Sequence, residues 1–476
     1  MENLPITVIL ADDKLQFKKE QSELLKTILD YRFFNPWKSL TANKDLRSLQ
    51  HDSNVELFIT NKCNQNCSYC YLTKYPNLYP NGNDPKTILK NLDILYDYFI
   101  ANRFFIPEID MFSGEIWHTQ LGWDVLEHTI DAVHRGLQFD HILIASNCSF
   151  VNDPKTLQRV QNYIDTFNNM NCPLKFSISV DGKYIDNIGR PRNSKEEYTD
   201  EFYDNLFAFA KHNTFYFHPM LAASNIKYWP ENWEWWKKIH KYYRTDINKM
   251  MMLEVRNNDW TDEAIQQYCD FLVKMADDFL HDVCHDNIEM LANMIGNVRT
   301  ANMPTLIDGY VPWAINHTDD FMGCSIDTHL TIRLGDLAIC PCHRTAYDKY
   351  LYGKFVVEDD MIVDIEARNP QMAIKTLMGN LYYSNPKCDT CIYKSCCLKG
   401  CYGSQLETVK DPFFPIDCVC KLFDAKYSRI LQYYKDKGII DYYKSFSTQE
   451  FGVDKVAHII QLYENWEARN NGLGTC

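Results

Sequence analysis

From residue 55 onward, short apolar runs alternate with longer amphipathic stretches about six times. The apolar runs are Val55 to Thr60, Ile109 to Phe112, His141 to Ser146, Leu174 to Val180, Phe215 to Leu221 and Met250 to Val255, each of strand length. The stretches between them read as helices, and three have recognisable starts. Asp84-Pro85, Asp153-Pro154 and Thr261 put a capping side chain at the entry, twice followed by proline at the first helical position. Strands alternating with helices predict parallel βα units, and six of them make an open, partial (β/α)6 barrel. Functional side chains then belong at the carboxyl ends of the strands.

The flanks are simpler. Residues 1–50 offer a strand-like run, Ile6 to Ala11, and a helix-like run, Phe17 to Phe34, whose apolar face is Leu24, Leu25, Ile28 and Leu29. This N-terminal segment is too short for a domain of its own and is expected to pack on the barrel, residues 51–300. Trp229, Trp233, Trp235 and Trp236 read as helix packing. A helix from Thr261 to about His281 and a less regular helical stretch lead to Met303. Met303-Pro304 and Gly309 to Pro312 read as a bridge to a cysteine-rich segment, residues 301–425. C-terminal helices, Asp424 to Lys437 and Val453 to Arg469, separate at Gly438 and fill residues 426–476.

Composition narrows the function classes. The formal net charge is -14 and the basic residues are spread, which argues against a nucleic-acid surface. Met1-Glu2-Asn3-Leu4-Pro5 does not read as a signal peptide, and no apolar run reaches membrane-spanning length, so a cytoplasmic location without membrane partners is expected. In a reducing compartment, 18 cysteines point to metal ligands or free thiols rather than disulfides.

Directly after the first strand, Cys63, Cys67 and Cys70 stand at C-x3-C-x2-C spacing. Structural zinc or an all-cysteine iron-sulfur cluster takes four protein ligands; three close thiols suit a [4Fe-4S] cube with one open iron. The stretch resembles the cluster loop of radical S-adenosylmethionine (SAM) enzymes, including an aromatic residue, Tyr69, before the third cysteine. The resemblance implies a partial TIM barrel, SAM chelated by the open iron, and its reductive cleavage to a 5'-deoxyadenosyl radical that abstracts a substrate hydrogen. It also implies an electron donor such as flavodoxin or ferredoxin.

Further matches to the family lie at strand ends. Ser113-Gly114-Glu115 resembles its GGE-type motif, in which backbone carbonyls and the carboxylate hold the SAM amino group. Asn147, in Ser146-Asn147-Cys148, is either a polar turn residue or a ligand contact. Ser177, Ser179 and Asp181 alternate onto one face of the fourth strand and resemble the family's S-x-S-x-D-G run; the serines suit the SAM ribose or carboxylate. Arg190 resembles the arginine that pairs with the SAM carboxylate, with Arg192 as rival. Leu221, at the end of the fifth strand, is expected against the adenine ring. Glu254, Arg256 and Asn257 end the sixth, where substrate contact and ordinary loop polarity both explain them.

A second constellation resembles the SPASM domain that follows the barrel in peptide- and protein-modifying relatives. Cys324, Gly335 and Cys340 give C-x10-G-x4-C, while Cys388, Cys391, Cys397 and Cys401 give C-x2-C-x5-C-x3-C before Cys418 and Cys420. Carried over, a first auxiliary [4Fe-4S] cluster takes Cys324, Cys340 or Cys342, and Cys401. A second takes Cys388, Cys391, Cys397 and one of Cys418 and Cys420. A pair of zinc sites is the alternative. Cys284 is a spare thiol able to complete a cluster. His343 stands where the sulfatase-maturing branch has an aspartate base, which counts against formylglycine formation and leaves His343 as a candidate proton acceptor or as a group bonded to a cluster sulfur or carbonyl. The expected function is hydrogen abstraction from a peptide or protein, foremost ribosomal-peptide maturation by crosslink, thioether or epimerisation. Sulfatase-type maturation and modification of a small cofactor precursor are alternatives, as is a non-enzymatic metal-cluster protein.

Overall fold

A computed structural model describes residues 6–43, 53–75, 84–243, 252–283, 325–378, 386–393, 397, 400–438, 440–441, 444 and 453–472. The expected bridge at Met303-Pro304 and Gly309 to Pro312, the irregular stretch before it, Cys284 and Cys324 lie outside these residues.

Parallel strands β1 (Asn54–Phe58), β2 (Phe105–Met111), β3 (Gln138–Ser146), β4 (Leu174–Ile178) and β5 (Thr214–Phe217) pair in sequence order. The run expected as one fifth strand is broken. Pro219 has no amide hydrogen to give, and the chain resumes as β6 (Met220–Leu221), which pairs in parallel with β7 (Leu253–Glu254). The Met220 amide, freed from the ladder, donates to Asp181 Oδ1 at 2.8 Å. Counting β5 and β6 as one interrupted strand, six parallel strands form the partial barrel.

Helices Pro85–Ala101, Gln120–Arg135, Pro154–Asn169, Asp200–Asn213, Trp229–Tyr243 and Asp262–Val283 cover its outside. The expected caps hold: Asp84 accepts from the Thr87 amide (3.3 Å), Asp153 from Thr156 (3.2 Å) and Thr261 from Ala264 (3.2 Å). Pleating sorts the strand residues. Val55, Leu57, Ile109, Met111, Ile142, Ile144, Phe176 and Ile178 join the apolar core, and Trp229, Trp233, Trp235 and Trp236 are buried in it. The opposite face, toward the barrel interior, is polar, with Asn54, Glu56, Glu108, Asp110, His141 and Ser177.

The free edge of β1 is taken by β8 (His329–Arg333), paired in parallel from Asn54↔His329 to Phe58↔Arg333. Antiparallel β9 (Ala338–Cys340), β10 (Gly353–Glu358) and β11 (Met361–Ala367) extend this into one nine-stranded sheet. Residues Ile6 to Ala11, expected as a strand, are instead the start of a helix, Ile6–Leu29. A helix already nucleated downstream gains one hydrogen bond per added residue, whereas a lone strand would need a partner. Leu25, Ile28 and Leu29 are buried as expected, and the Ala367 amide donates to Ser22 Oγ at 3.0 Å, tying this helix to β11. Helix Asn35–Ala42 plugs the barrel's flank through Trp37, whose ring meets Phe99 and Phe104 edge-on and whose Nε1 donates to the Ser53 carbonyl at 2.6 Å. Helices Asp417–Asp436 and Val453–Asn470 close the chain, the first beginning seven residues before its expected start.

Trp37 is fully buried, so Trp37→Ala should cost about 3–5 kcal/mol and lower the urea midpoint. Phe17→Ala, at a side chain 62% exposed, should leave it unchanged.

Candidate functional site

The loop leaving β1 carries Cys63, Cys67 and Cys70 and is pinned from three directions. Beneath it runs the turn after β2. Gly114 has φ +58°, and a Cβ there would stand 2.2 Å from the Lys62 carbonyl oxygen, so the approach requires glycine. That oxygen accepts from the Glu115 amide at 2.9 Å. Ser113 Oγ accepts from the Ile59 and Thr60 amides at 2.8 and 3.2 Å, holding the end of β1. On a second side, the Asn66 amide donates to the Pro191 carbonyl (2.9 Å), Ser68 to Gly189 (2.8 Å) and Asn193 to Asn64 (2.9 Å). On the third, Asn147 Nδ2 donates to Asn64 Oδ1 at 2.8 Å and Asn64 Nδ2 to Ser149 Oγ at 2.6 Å.

Glu115 is buried and accepts from Ser146 Oγ (2.9 Å) and the Asn147 amide (2.7 Å). Burial nevertheless pushes its carboxyl up to about 7. Asp181 is likewise pushed to about 7 by burial, although Arg190 pulls the other way. Tyr69 connects Asp181 to Arg190: its hydroxyl donates to Asp181 Oδ2 at 2.7 Å and accepts from Arg190 Nη1 at 3.0 Å. Arg190 is buried, also donates to Gln65 Oε1 at 3.3 Å, and lies 3.8 Å from Asp181 and 3.6 Å from Asp186. Its rival Arg192 lies over the rings of Tyr198 and Phe202, 4.4 and 4.9 Å from their centroids. Ser177 is fully buried with no hydrogen-bond partner for Oγ. Ser179 is half-buried and gives its amide to the Ser146 carbonyl at 2.7 Å, while Leu221 is fully buried.

The strand-end residues Ser113, Gly114, Glu115, Asn147, Asp181 and Arg190 are therefore linked to the three-thiol loop, directly or through one intermediary. Several residues that complete the linkage were not anticipated. Asn64 and Gln65 lie inside the C-x3-C spacing itself; Gln65 also donates from Nε2 to the Tyr198 hydroxyl. Their position between ligand-type residues was the available signal. Burial holds the Cys63 and Cys67 thiols up at about 12, and neighbouring loop cysteines add to it, Cys70 for Cys63 and both Cys70 and Cys63 for Cys67.

The later cysteines divide. Cys340 is buried with Phe58, Ala338, Ala346 and Leu351. Cys342 turns instead toward Ile326, Tyr350, Tyr402 and Leu406, a cluster against which Cys388 also packs. Next to it, Arg344 bonds the Glu407 carboxylate and points Nη1 toward Cys401 Sγ at 3.9 Å. Cys418 and Cys420 sit two residues apart on helix Asp417–Asp436, a rotation of about 200°. Cys418 Sγ faces the Asn257 carbonyl at 3.4 Å, whereas Cys420 is near enough to Cys388 and Cys391 for them to raise its thiol further, after burial, to about 11. Cys397 gives its amide to the Tyr393 carbonyl at 2.7 Å. His343 Nδ1 lies 2.9 Å from Glu56 Oε1, which also accepts the His343 amide at 2.8 Å, and its ring stacks on Phe112. Burial opposes the Glu56 charge, but His343 and His329 outweigh it and hold the carboxyl below its ordinary value. Among the described residues, no helix is long and apolar enough to cross a membrane.

No family model matches the chain, and no curated protein does. Solved structures do. Native anSMEcpe with bound AdoMet superposes with a TM-score of 0.53 at 12% identity, covering 81% of this chain and 98% of that one. Hexahistidine-tagged anSMEcpe with bound AdoMet gives 0.52 at 12% identity, over 86% and 99%. Native anSMEcpe with bound AdoMet and Cp18Cys peptide gives 0.51 at 13% identity, over 81% and 98%. The chain has the partial α/β-barrel fold expected of radical SAM proteins, with the later strands continuing its sheet.

Proposed function

We propose that the protein is a radical SAM enzyme with SPASM-type auxiliary clusters, acting on a peptide or protein. One observation carries this reading: Glu115, Asn147, Tyr69, Asp181 and Arg190, each expected at a SAM site, converge on the loop of Cys63, Cys67 and Cys70. The likeness to anSMEcpe, a protein solved with AdoMet and with a peptide, supports it at the level of fold.

The residues fit the implied groups. The three loop thiols are near enough to act on one another: Cys70 raises the Cys63 thiol, and Cys70 and Cys63 raise Cys67. Three thiols on one loop suit a cube with one open iron. Ser177 Oγ is an unpaired buried acceptor and donor at the strand end, and Glu115 is a buried carboxyl suited to an ammonium. Cys63, Cys67 and Cys70 would hold the cluster, and Glu115 would accept from the SAM amino group. When bound, the cluster supplies the electron that cleaves SAM. The protein's own contribution is orientation: Ser146 and Asn147 fix the Glu115 carboxylate, and Tyr69 fixes Asp181 against Arg190.

For the auxiliary clusters, the division of thiols favours Cys342 with Cys401 at the first site, and Cys388, Cys391 and Cys420 at the second, to which Cys397 is assigned on its spacing. Cys340 and Cys418 face elsewhere and are read as packing thiols. Cys324 is retained as a first-site ligand on its spacing alone. His343, oriented by Glu56, is the candidate proton acceptor beside the first site. Ribosomal-peptide maturation remains the favoured reaction, since auxiliary clusters would accept the electron released when a substrate radical is oxidised, as crosslink formation requires.

Anaerobic reconstitution should load about twelve irons per chain if all three cubes form. Dithionite and SAM should then release 5'-deoxyadenosine. Cys63→Ala should abolish that release, measured by chromatography, and undiminished cleavage would refute the site. Gly114→Ala should also abolish it, because the added methyl drives the Lys62 carbonyl out of place. Cys420→Ala should lose about four irons while Cys418→Ala keeps them, counted by a colorimetric iron assay; the reverse pattern would overturn the ligand assignment.

A further inference from the structure

Along the barrel interior, level with the starts of β1 and β8, lies a second constellation that the proposed function does not use. The register places His329 of β8 level with Asn54 of β1, and the β1–β2 pairing places Glu108 beside Asn54. Asp110 follows Glu108 on the same face of β2. Glu108, Asp110 and His329 each offer a ligand atom, and these atoms all lie within 4.8 Å of one another. They are mostly or wholly removed from solvent, with Asp110 only 2% exposed.

Two acceptor oxygens here have no donor. Asp110 Oδ1 and Asn54 Oδ1 are buried without hydrogen-bond partners. Asn54 directs its other amide atom, Nδ2, at Glu108 Oε1 (3.2 Å), which places its amide at the rim of the cluster. A proton shared between Glu108 and Asp110 would satisfy one acceptor at most. A cation at the centre satisfies carboxylate and amide oxygens together.

The surroundings are those of a supported ligand set. His329 Nε2 lies 2.6 Å from Asp110 Oδ2, while its Nδ1 lies 2.9 Å from Thr328 Oγ1. With Nε2 as ligand, Nδ1 is left to donate to that hydroxyl, which fixes ring and tautomer. His141 Nε2 bonds Glu108 Oε2 at 2.6 Å and is itself held by Asp140 at 2.8 Å, so the Glu108 carboxylate is oriented from behind.

We propose that Glu108, Asp110 and His329, with Asn54 as a fourth donor once its amide is turned so that Oδ1 rather than Nδ2 faces them, bind one divalent transition-metal ion of the zinc or manganese class. Oxygen and imidazole donors suit such an ion, and no thiol of either cysteine constellation takes part. The ion's role is structural: it joins β2 to β8 across β1 and fastens the later strands to the barrel.

The test uses the full-length protein, purified anaerobically and stripped with EDTA, then given Mn2+ and passed through gel filtration. Wild type should retain about one Mn2+ per chain, read by atomic spectroscopy and by loss of the free-ion paramagnetic resonance signal. Asp110→Asn and His329→Gln should retain none. His141→Asn, which removes only support for Glu108, should weaken binding by about 10–100-fold. Asn54→Ala keeps the test readable should the ligand variants fail to fold, and it should bind measurably more weakly than wild type. Absence of retained Mn2+ in wild type, or equal retention in Asp110→Asn and His329→Gln, overturns the proposal.

Discussion

The approach of one backbone segment beneath another organises the thiol loop. The Lys62 carbonyl oxygen sits where a side chain on residue 114 would have to be, and it receives the next amide, that of Glu115. From there a closed circuit runs outward. The Glu115 carboxylate takes the Asn147 amide, and the Asn147 side chain takes Asn64, which lies between the first two cysteines. A loop anchored at both a backbone and a side-chain point cannot swing as a hinge. Its ligand-type residues are therefore placed by three strands at once rather than by their own local turn.

The interior of the barrel is divided by depth. Near the carboxyl ends of the strands, the buried Glu115, Asn147, Asp181 and Arg190 are bonded to the loop or to a group that is. Further along the interior face, carboxylates and imidazoles gather on four neighbouring strands: Glu56, Glu108, Asp110, His141 and His329. Such a concentration of buried charge persists only where partners compensate it. The cross-strand pairs His141–Glu108, His329–Asp110 and His343–Glu56 are that compensation among the protein's own groups. Two of the three join the early strands to residues after 328, so the polar interior helps to seat the later segment.

What could be read from sequence follows the range of the interactions. Helix caps at Asp84, Asp153 and Thr261 depend on residues three apart and were legible. So were the strand-end motifs, because each is a few residues long. The interruption at Pro219 was visible in the letters but lay inside an otherwise apolar run. Ile6 to Ala11 has the β-branched composition of a strand; continuity with the helix after it overrides that composition. The choice between Cys418 and Cys420 depends on where their helix begins, and the early start at Asp417 turns one thiol to each side. Glu56 and His343 are 287 residues apart and meet only because β8 lies against β1, a pairing that no local pattern announces.

That pairing also bears on how the molecule can be taken apart. Every residue of β1 has a counterpart on β8, and β1 stands between β8 and β2 in the ladder. Cutting the gene before His329 would strip one flank from the central strand and leave a row of bare amides and carbonyls, a template for aggregation. The strands from His329 onward thus complete the same sheet as the strands that precede them.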